Sequence, residues 1–424
     1  MARIFIKTWG CTLNQSDSDI MHAILESEGH ELCRSEKGAE LVVLNTCTVK
    51  GATESRIISE LARLKERGAK VVVAGCLSAN RKRISRVAPE APIVGAGATG
   101  KIAEAVRLAL QGKGRGAFFD ACSCKFLLPR RLGSPIARIP IGEGCVSRCA
   151  FCQSRIARPK LMSYPPREVV RLVEQALAGG AREIQLTGMD TGAYGFDIKS
   201  DLVSLLEELV KVEGDFKIRL GMINPQHARR MEGGLAGIFR SQKMFRFLHI
   251  PVQSGSERVC REMGRGHTVA DFEHAVAAFR KGMPDLTLAT DVIAAYPTET
   301  GEDFRKTLEL IGRVRPDMVN ISRFTPRPGT EAKKLKQMRS EDGKKRTALT
   351  HALARKIACE NALAFLGKRM RVLINEKGRA GQVKGRADNY RQVAIPAGRG
   401  LMGKRVLVEI EETSNATLIG RTVR

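Results

Sequence analysis

The sequence predicts an α/β chain in three parts: an N-terminal doubly wound parallel α/β domain over 1–110, a barrel of βα units over 136–366 behind a linker at 111–135, and a small C-terminal β-barrel over 367–424. Two observations carry the prediction. Short β-rich runs alternate with amphipathic helical stretches, twice over and with a Gly-, Lys- and Arg-rich break between. The last segment then changes to β-prone runs separated by glycines.

In the first part the runs are Ile4–Thr8, Leu41–Asn45, Val71–Ala74 and Ile93–Val94, with helical stretches near Ser16–Glu28, Ala52–Arg67 and Lys101–Leu110. Strands of a parallel sheet share one carboxyl edge, where open α/β folds bind their ligands. Cys11, Cys47 and Cys76 each follow the end of a run, so three thiols distant in sequence can meet there. Gly10 and Gly75 directly precede two of them and permit a tight turn or a bulky neighbour. Three buried structural cysteines remain an equal alternative at this point. The linker comprises Gln111–Gly116 and Pro129–Pro135. Cys122 and Cys124 lie between them as a weak CxC signal.

The second part repeats strand and helix six times. Its strands are expected at Ala137–Ile141, Glu183–Thr187, Lys217–Met222, Arg246–Pro251, Leu288–Ala294 and Met318–Phe324. Helices are expected at Arg167–Ala178, Ser200–Val212 and Phe304–Val314. No nucleotide fingerprint accompanies them, which suggests a barrel, complete or partial, with its chemistry at the strand ends. In the third part, Met370–Asn375, Gln392–Ile395 and Arg405–Glu411 read as strands of a basic barrel, a common oligonucleotide binder. A dimerisation or capping module is the alternative.

Composition narrows the partners. The 424-residue chain carries 71 Lys and Arg against 45 Asp and Glu, a net charge of +26, which favours a polyanion over a small metabolite. Eleven cysteines without a secretory leader point to metal or redox chemistry rather than disulfides, and the expected compartment is the cytoplasm. No membrane partner is expected, because no apolar run is long enough to span a bilayer.

After the first barrel strand stands Gly144-Cys145-Val146-Ser147-Arg148-Cys149-Ala150-Phe151-Cys152. Thiolates at this spacing suit iron–sulfur clusters or zinc. A structural zinc would want a fourth ligand, and the nearest candidate, His227, is remote in sequence. A 4Fe-4S cluster with one iron left open fits better.

This loop resembles the radical S-adenosylmethionine superfamily, which implies a partial (β/α)6 barrel. By that resemblance Cys145, Cys149 and Cys152 hold the cluster, its open iron chelates S-adenosylmethionine, and reduction yields methionine and a 5′-deoxyadenosyl radical. Phe151 would lie beside the adenine. Further motifs resemble the methylthiotransferases: Trp9–Asn14, Asn45–Val49, Gly75-Cys76, Leu186–Gly195, His249–Ser256, Thr290–Ile293 and Thr325–Thr330. The resemblance implies that Cys11, Cys47 and Cys76 bind a second, auxiliary 4Fe-4S cluster, so that all six cysteines are catalytic. It makes Thr187, Gly188, Gln253, Ser254 and Asp291 candidates to contact the cofactor, with a capped turn as the alternative for Gln253 and Ser254. The last barrel resembles the TRAM domain. Ala294–Glu299 departs from the Gly-Phe-Pro-Gly run frequent in relatives.

Among the branches, Thr187–Gly195 and Trp9-Gly10-Cys11 look like the archaeal and eukaryotic one acting on N6-threonylcarbamoyladenosine in tRNA. Isopentenyladenosine in tRNA and a ribosomal-protein aspartate are the alternatives, and a non-catalytic RNA-binding metalloprotein is the rival of another class. The expected partners are tRNA and a reducing electron donor, and the chain is expected to be a monomer. No purpose is assigned to Cys33, Cys122, Cys124, Cys260 or Cys359.

Overall fold

Leu41-Val-Val-Leu-Asn-Thr46 is buried at every position, the pattern of a central parallel strand covered on both faces. In the computed structural model it is one strand of a six-stranded parallel sheet. The structure describes residues 1–114, 116–119, 125–379, 381–398 and 400–423; Cys122 and Cys124 lie outside them. The elements of this region are β1 (Arg3–Thr8), α1 (Thr12–Ser27), β2 (Glu31–Leu32), β3 (Leu41–Thr46), α2 (Gly51–Glu66), β4 (Lys70–Gly75), β5 (Ile93–Gly95), α3 (Ile102–Leu110) and β6 (Ala117–Phe118). The strand order is β2-β1-β3-β4-β5-β6. Met21, Leu25, Ile102 and Val106 cover one face of the sheet, and Ile57, Leu61 and Leu64 cover the other. Register aligns Thr8 with Asn45 and Thr46 with Gly75, so the chain leaves three strands at one edge.

The 111–135 stretch does more than connect. Ala117–Phe118 adds a strand to the sheet, and Lys125 is buried. The first helix starts at Thr12 rather than near Ser16, because its buried face opens with Asn14, Ser16, Asp17 and Ser18. Those polar residues hide the start of the apolar period.

The central region holds β7 (Ile136–Pro140), α4 (Pro166–Ala178), β8 (Glu183–Thr187), α5 (Leu202–Lys211), β9 (Lys217–Arg219), β10 (Phe247–His249), α6 (Val269–Gly282), β11 (Thr287–Ala294), α7 (Gly301–Val314), β12 (Met318–Arg323) and α8 (Ser340–Leu363). The strands form two parallel three-stranded sheets, β9-β8-β7 and β10-β11-β12, linked by an isolated bridge from Ile218 to Met244. The barrel is therefore partial. Two expected strands shorten to three residues each, Lys217–Arg219 and Phe247–His249. Helix α8 has no counterpart in the sequence reading, because few of its 24 residues, among them Gly343, Thr350, Ile357 and Ala362, are buried and the amphipathic signal is faint.

The C-terminal elements β13 (Arg369–Lys377), β14 (Gln382–Ala387), β15 (Gln392–Pro396), β16 (Arg405–Ser414) and β17 (Thr417–Val423) close into a barrel in the order β13-β14-β15-β17-β16. The sequence reading missed β14, which is polar and carries Gly385, and β17. This barrel docks under the central one. Tyr390 Oη donates to Glu183 Oε1 at 3.0 Å, and its ring packs against Phe245 and Phe247 with centroids 4.9 and 4.7 Å away. Among the described residues no helix is long and apolar enough to cross a membrane.

Candidate active site

At the common edge of the first sheet, Cys11 occupies the cap position of α1, Cys47 follows β3, and Cys76 follows β4. The three lie within electrostatic reach of one another. Burial pushes the Cys47 thiol up to about 11, and burial also raises Cys76. The glycines are specific. A Cβ on Gly10 (φ +117) would stand 3.1 Å from Cys47 Sγ, and one on Gly75 (φ +89) would meet Thr46 O at 2.6 Å. Both positions need the left-handed backbone and the missing side chain. Asn14 and Asn45 stitch the edge: Asn14 Nδ2 donates to Trp9 O at 2.6 Å, and Asn45 Nδ2 donates to Asn14 O at 2.7 Å.

The second triplet sits on the loop after β7. Cys152 lies within electrostatic reach of Cys149 and Cys145, and burial raises the thiols of Cys145 and Cys152. Ser147 N donates to Cys145 Sγ at 3.4 Å, and Arg265 Nη1 donates to Cys149 Sγ at 3.3 Å. Arg265 is itself held by Asn224 Oδ1 at 2.5 Å and Pro251 O at 3.1 Å.

The fold brings the two triplets together. Thr48, next to Cys47, hydrogen-bonds Gln153, next to Cys152. Beside this contact lies a buried quartet of charges. Lys125 Nζ reaches Asp17 Oδ1 at 2.5 Å and Glu143 Oε1 at 3.1 Å, and Arg158 pairs with both carboxylates. Burial opposes the charge on Asp17, but Arg158 and Lys125 hold its carboxyl below the ordinary range. Arg158 also lies within electrostatic reach of Cys76, and Glu143 stands two residues before Cys145. Sequence reasoning missed all four residues. The only signal was their placement near the cysteine motifs.

A cleft of about 240 Å³ opens between the regions, with Val49, Lys50 and Gly51 on one side and Phe151, Ile293 and Arg323 on the other. Above it, Asp291 at mid-β11 accepts from Asn320 Nδ2 at 2.8 Å and lies 3.0 Å from His249 Nε2. Burial works against its charge, yet His249 and Asn320 keep the carboxyl below its usual range. Gln253 takes a strained φ of +72 and bridges to Val292, which turns it at the strand edge. Thr187 ends β8, its carbonyl accepting from Ile141 N at 2.9 Å. A Cβ on Gly188 would meet no protein atom closer than 3.8 Å, so packing does not explain the glycine. Ser254 differs: it is fully buried, and its hydroxyl accepts from Ser256 N at 3.2 Å and meets Thr307. That is the capped-turn alternative. Cys260 is likewise structural, its thiol donating to Ser254 O at 3.3 Å and pushed up to about 12 by burial.

The donor sets fit iron–sulfur clusters. Three thiolates without a fourth protein ligand suit a cubane with one iron left open better than a closed zinc site. N–H donors already point at the sulfurs of Cys47, Cys145 and Cys149, as thiolates require.

Comparison with known proteins agrees with this architecture. Residues 3–95 match the family described as "Uncharacterized protein family UPF0004", residues 139–311 the radical SAM superfamily, and residues 364–423 the TRAM domain. A protein of Archaeoglobus fulgidus named "Probable threonylcarbamoyladenosine tRNA methylthiotransferase" is 41% identical over 423 residues, covering 99% of this chain and 98% of its own. One of the same name from Pyrococcus horikoshii is 37% identical over the full length of both. The chain belongs to the threonylcarbamoyladenosine tRNA methylthiotransferase family. The family extends to animals: the Drosophila melanogaster member is 35% identical over 99% of this chain and 77% of its own. Among solved structures, the radical S-adenosylmethionine methyltransferase TsrM of Kitasatospora setae shares the fold at a TM-score of 0.58, with 16% identity over 78% of this chain and 77% of that one.

Proposed function

We propose that this methylthiotransferase family member places a methylthio group on carbon 2 of N6-threonylcarbamoyladenosine next to the anticodon of tRNA, with two 4Fe-4S clusters and two S-adenosylmethionine molecules per product. The hydrogen bond between Thr48 and Gln153 carries the reading, because it sets the residues following Cys47 and Cys152 against each other across one seam. Insertion of sulfur at an unactivated C–H bond needs a hydrogen-abstracting radical and a sulfur source within reach of one carbon. The bound clusters and S-adenosylmethionine supply these two chemistries.

The residues divide the work. Cys145, Cys149 and Cys152 would hold one cluster, with Arg265 and the Ser147 amide steadying its sulfurs. Cys11, Cys47 and Cys76 would hold the other, with Val49 N donating to Cys47 Sγ at 3.4 Å. Phe151 would flank the adenine of S-adenosylmethionine, Thr187, Gly188 and Gln253 its strand-end wall, and Asp291 a ribose hydroxyl. Ser254 supports that wall from beneath. The domains are read as 1–110, a connecting 111–135, 136–366 and 367–424, the last holding RNA. Both triplets belong to one chain, so a monomer suffices, with an external reducing electron donor.

Mass spectrometry of tRNA nucleosides from a deletion strain tests the function. The 2-methylthio form of threonylcarbamoyladenosine should vanish and return on complementation. Undiminished levels would reject the proposal.

A further inference from the structure

The cleft beside the seam has a cationic wall. There the chain enters α2 through Lys50, and no side chain caps the helix, so the first N–H groups of a 16-residue helix are left for another acceptor. Such a terminus favours an anion. A second observation in the same wall points to a ligand. Arg327 lines the cleft and is only 6% exposed; its Nη1 is engaged by Glu54, while its buried Nη2 has no partner among the described residues. A buried guanidinium N–H without an acceptor is costly, and an anion entering the cleft would supply one.

Lys50 and Arg323 flank the same space and are exposed. Among the described residues neither has a carboxylate within salt-bridge distance. Lys50 lies within electrostatic reach of Asp291, which His249 and Asn320 already engage. Phe151 and Ile293 complete the lining with apolar surface. The cleft's volume of about 240 Å³ matches a small substituent rather than a whole nucleotide.

Resting on the function proposed above, this wall acquires a purpose. A threonylcarbamoyl group ends in a carboxylate, whereas an isopentenyl group ends in hydrocarbon. The geometry points to Lys50, Arg323, Arg327 and the uncapped start of α2 as the site that holds the threonine carboxylate of the target adenosine. Charge-assisted bonds of this kind are strong, and a site with buried donors rejects an analogue lacking the acceptor. Specificity for the substituent then comes from the N-terminal domain and the β12 loop together.

Binding of anticodon stem–loop RNAs to the reconstituted full chain tests this by fluorescence anisotropy. The RNAs differ only at the N6 position: threonylcarbamoyl, its threoninamide analogue, or hydrogen. The acid should bind about tenfold more tightly than the amide. Lys50→Met and Arg323→Met should each erase most of that preference and leave the unsubstituted RNA bound as before. Equal binding of acid and amide by the parent protein, or a uniform weakening of all RNAs in the variants, overturns the site; the latter would mark a phosphate contact. Nucleoside mass spectrometry separates the two levels of inference. Methylthiolation of acid and amide RNAs alike overturns the carboxylate site alone, whereas methylthiolation of neither overturns the function on which it rests.

Discussion

The two cysteine triplets are built in opposite ways. One is local: Cys145, Cys149 and Cys152 ride a single loop, and the arginine that donates to Cys149 is held by neutral partners, Asn224 and Pro251. The other is distributed. Cys11, Cys47 and Cys76 leave three strands, and the arginine that reaches Cys76 belongs to a fully buried quartet of charges between two domains. A local site can be altered without disturbing its scaffold. A distributed site takes its precision from sheet register and domain docking, so damage to either damages it.

The strongest way to break this comparison is to remove one thiol from each triplet. Cys149→Ala should abolish release of 5′-deoxyadenosine, while Cys47→Ala should spare it and abolish methylthiolation; equal loss of cleavage in both would mean the triplets do not divide the labour. Next in size, Arg158→Met leaves two buried carboxylates facing Lys125 alone, which should cost about 3–5 kcal/mol of stability in urea unfolding. Arg265→Met should cost only about 1–2 kcal/mol. Similar losses would erase the distinction between welded and free-standing arginines.

A smaller probe is Gly75→Ala. It forces a residue with a side chain to φ +89 against the Thr46 carbonyl, a strain of about 1–3 kcal/mol. Iron bound by the distributed triplet should fall while iron on the loop triplet stays. Iron counts in a Cys145→Ala background isolate the effect.

The gentlest probe is pH. Burial holds the Asp19 carboxyl, on the helix that Cys11 caps, at about 6 against an ordinary 3.8. A raised value means the folded chain keeps this proton longer than the unfolded one does. Its contribution to stability is complete below pH 3.8 and is lost as pH rises through about 6. Asp19→Asn should remove that loss, raising stability at pH 7 by up to about 3 kcal/mol and changing little near pH 4. Denaturation midpoints at the two pH values measure it.

The same contrast governs how much was legible in the sequence. The loop triplet is written in nine consecutive residues, and any reader of ligand spacing finds it. The distributed triplet became visible only once Ile4–Thr8, Leu41–Asn45 and Val71–Ala74 were read as parallel strands with a shared edge, a three-dimensional idea drawn from a two-residue period. Arg158, Lys125 and Glu143 gave no such cue. A charged residue in sequence reads as surface, and only packing reveals that four of them neutralise one another in the interior. Helix α8 and strand β14 escaped for a related reason: their partners, not their own residues, decide where they lie. At Ser254 the motif also builds the turn, its hydroxyl accepting from Ser256 N, a role the sequence held open as the alternative.

Tyr390 anchors the C-terminal barrel at Glu183, the first residue of β8, whereas the thiol chemistry is gathered past the other ends of the strands. At about 3.3 Å per residue, a five-residue strand separates these places by roughly 16 Å. The strand itself therefore sets the distance between the barrel's anchor and the cysteine loops, and docking the barrel at one end leaves the other end open.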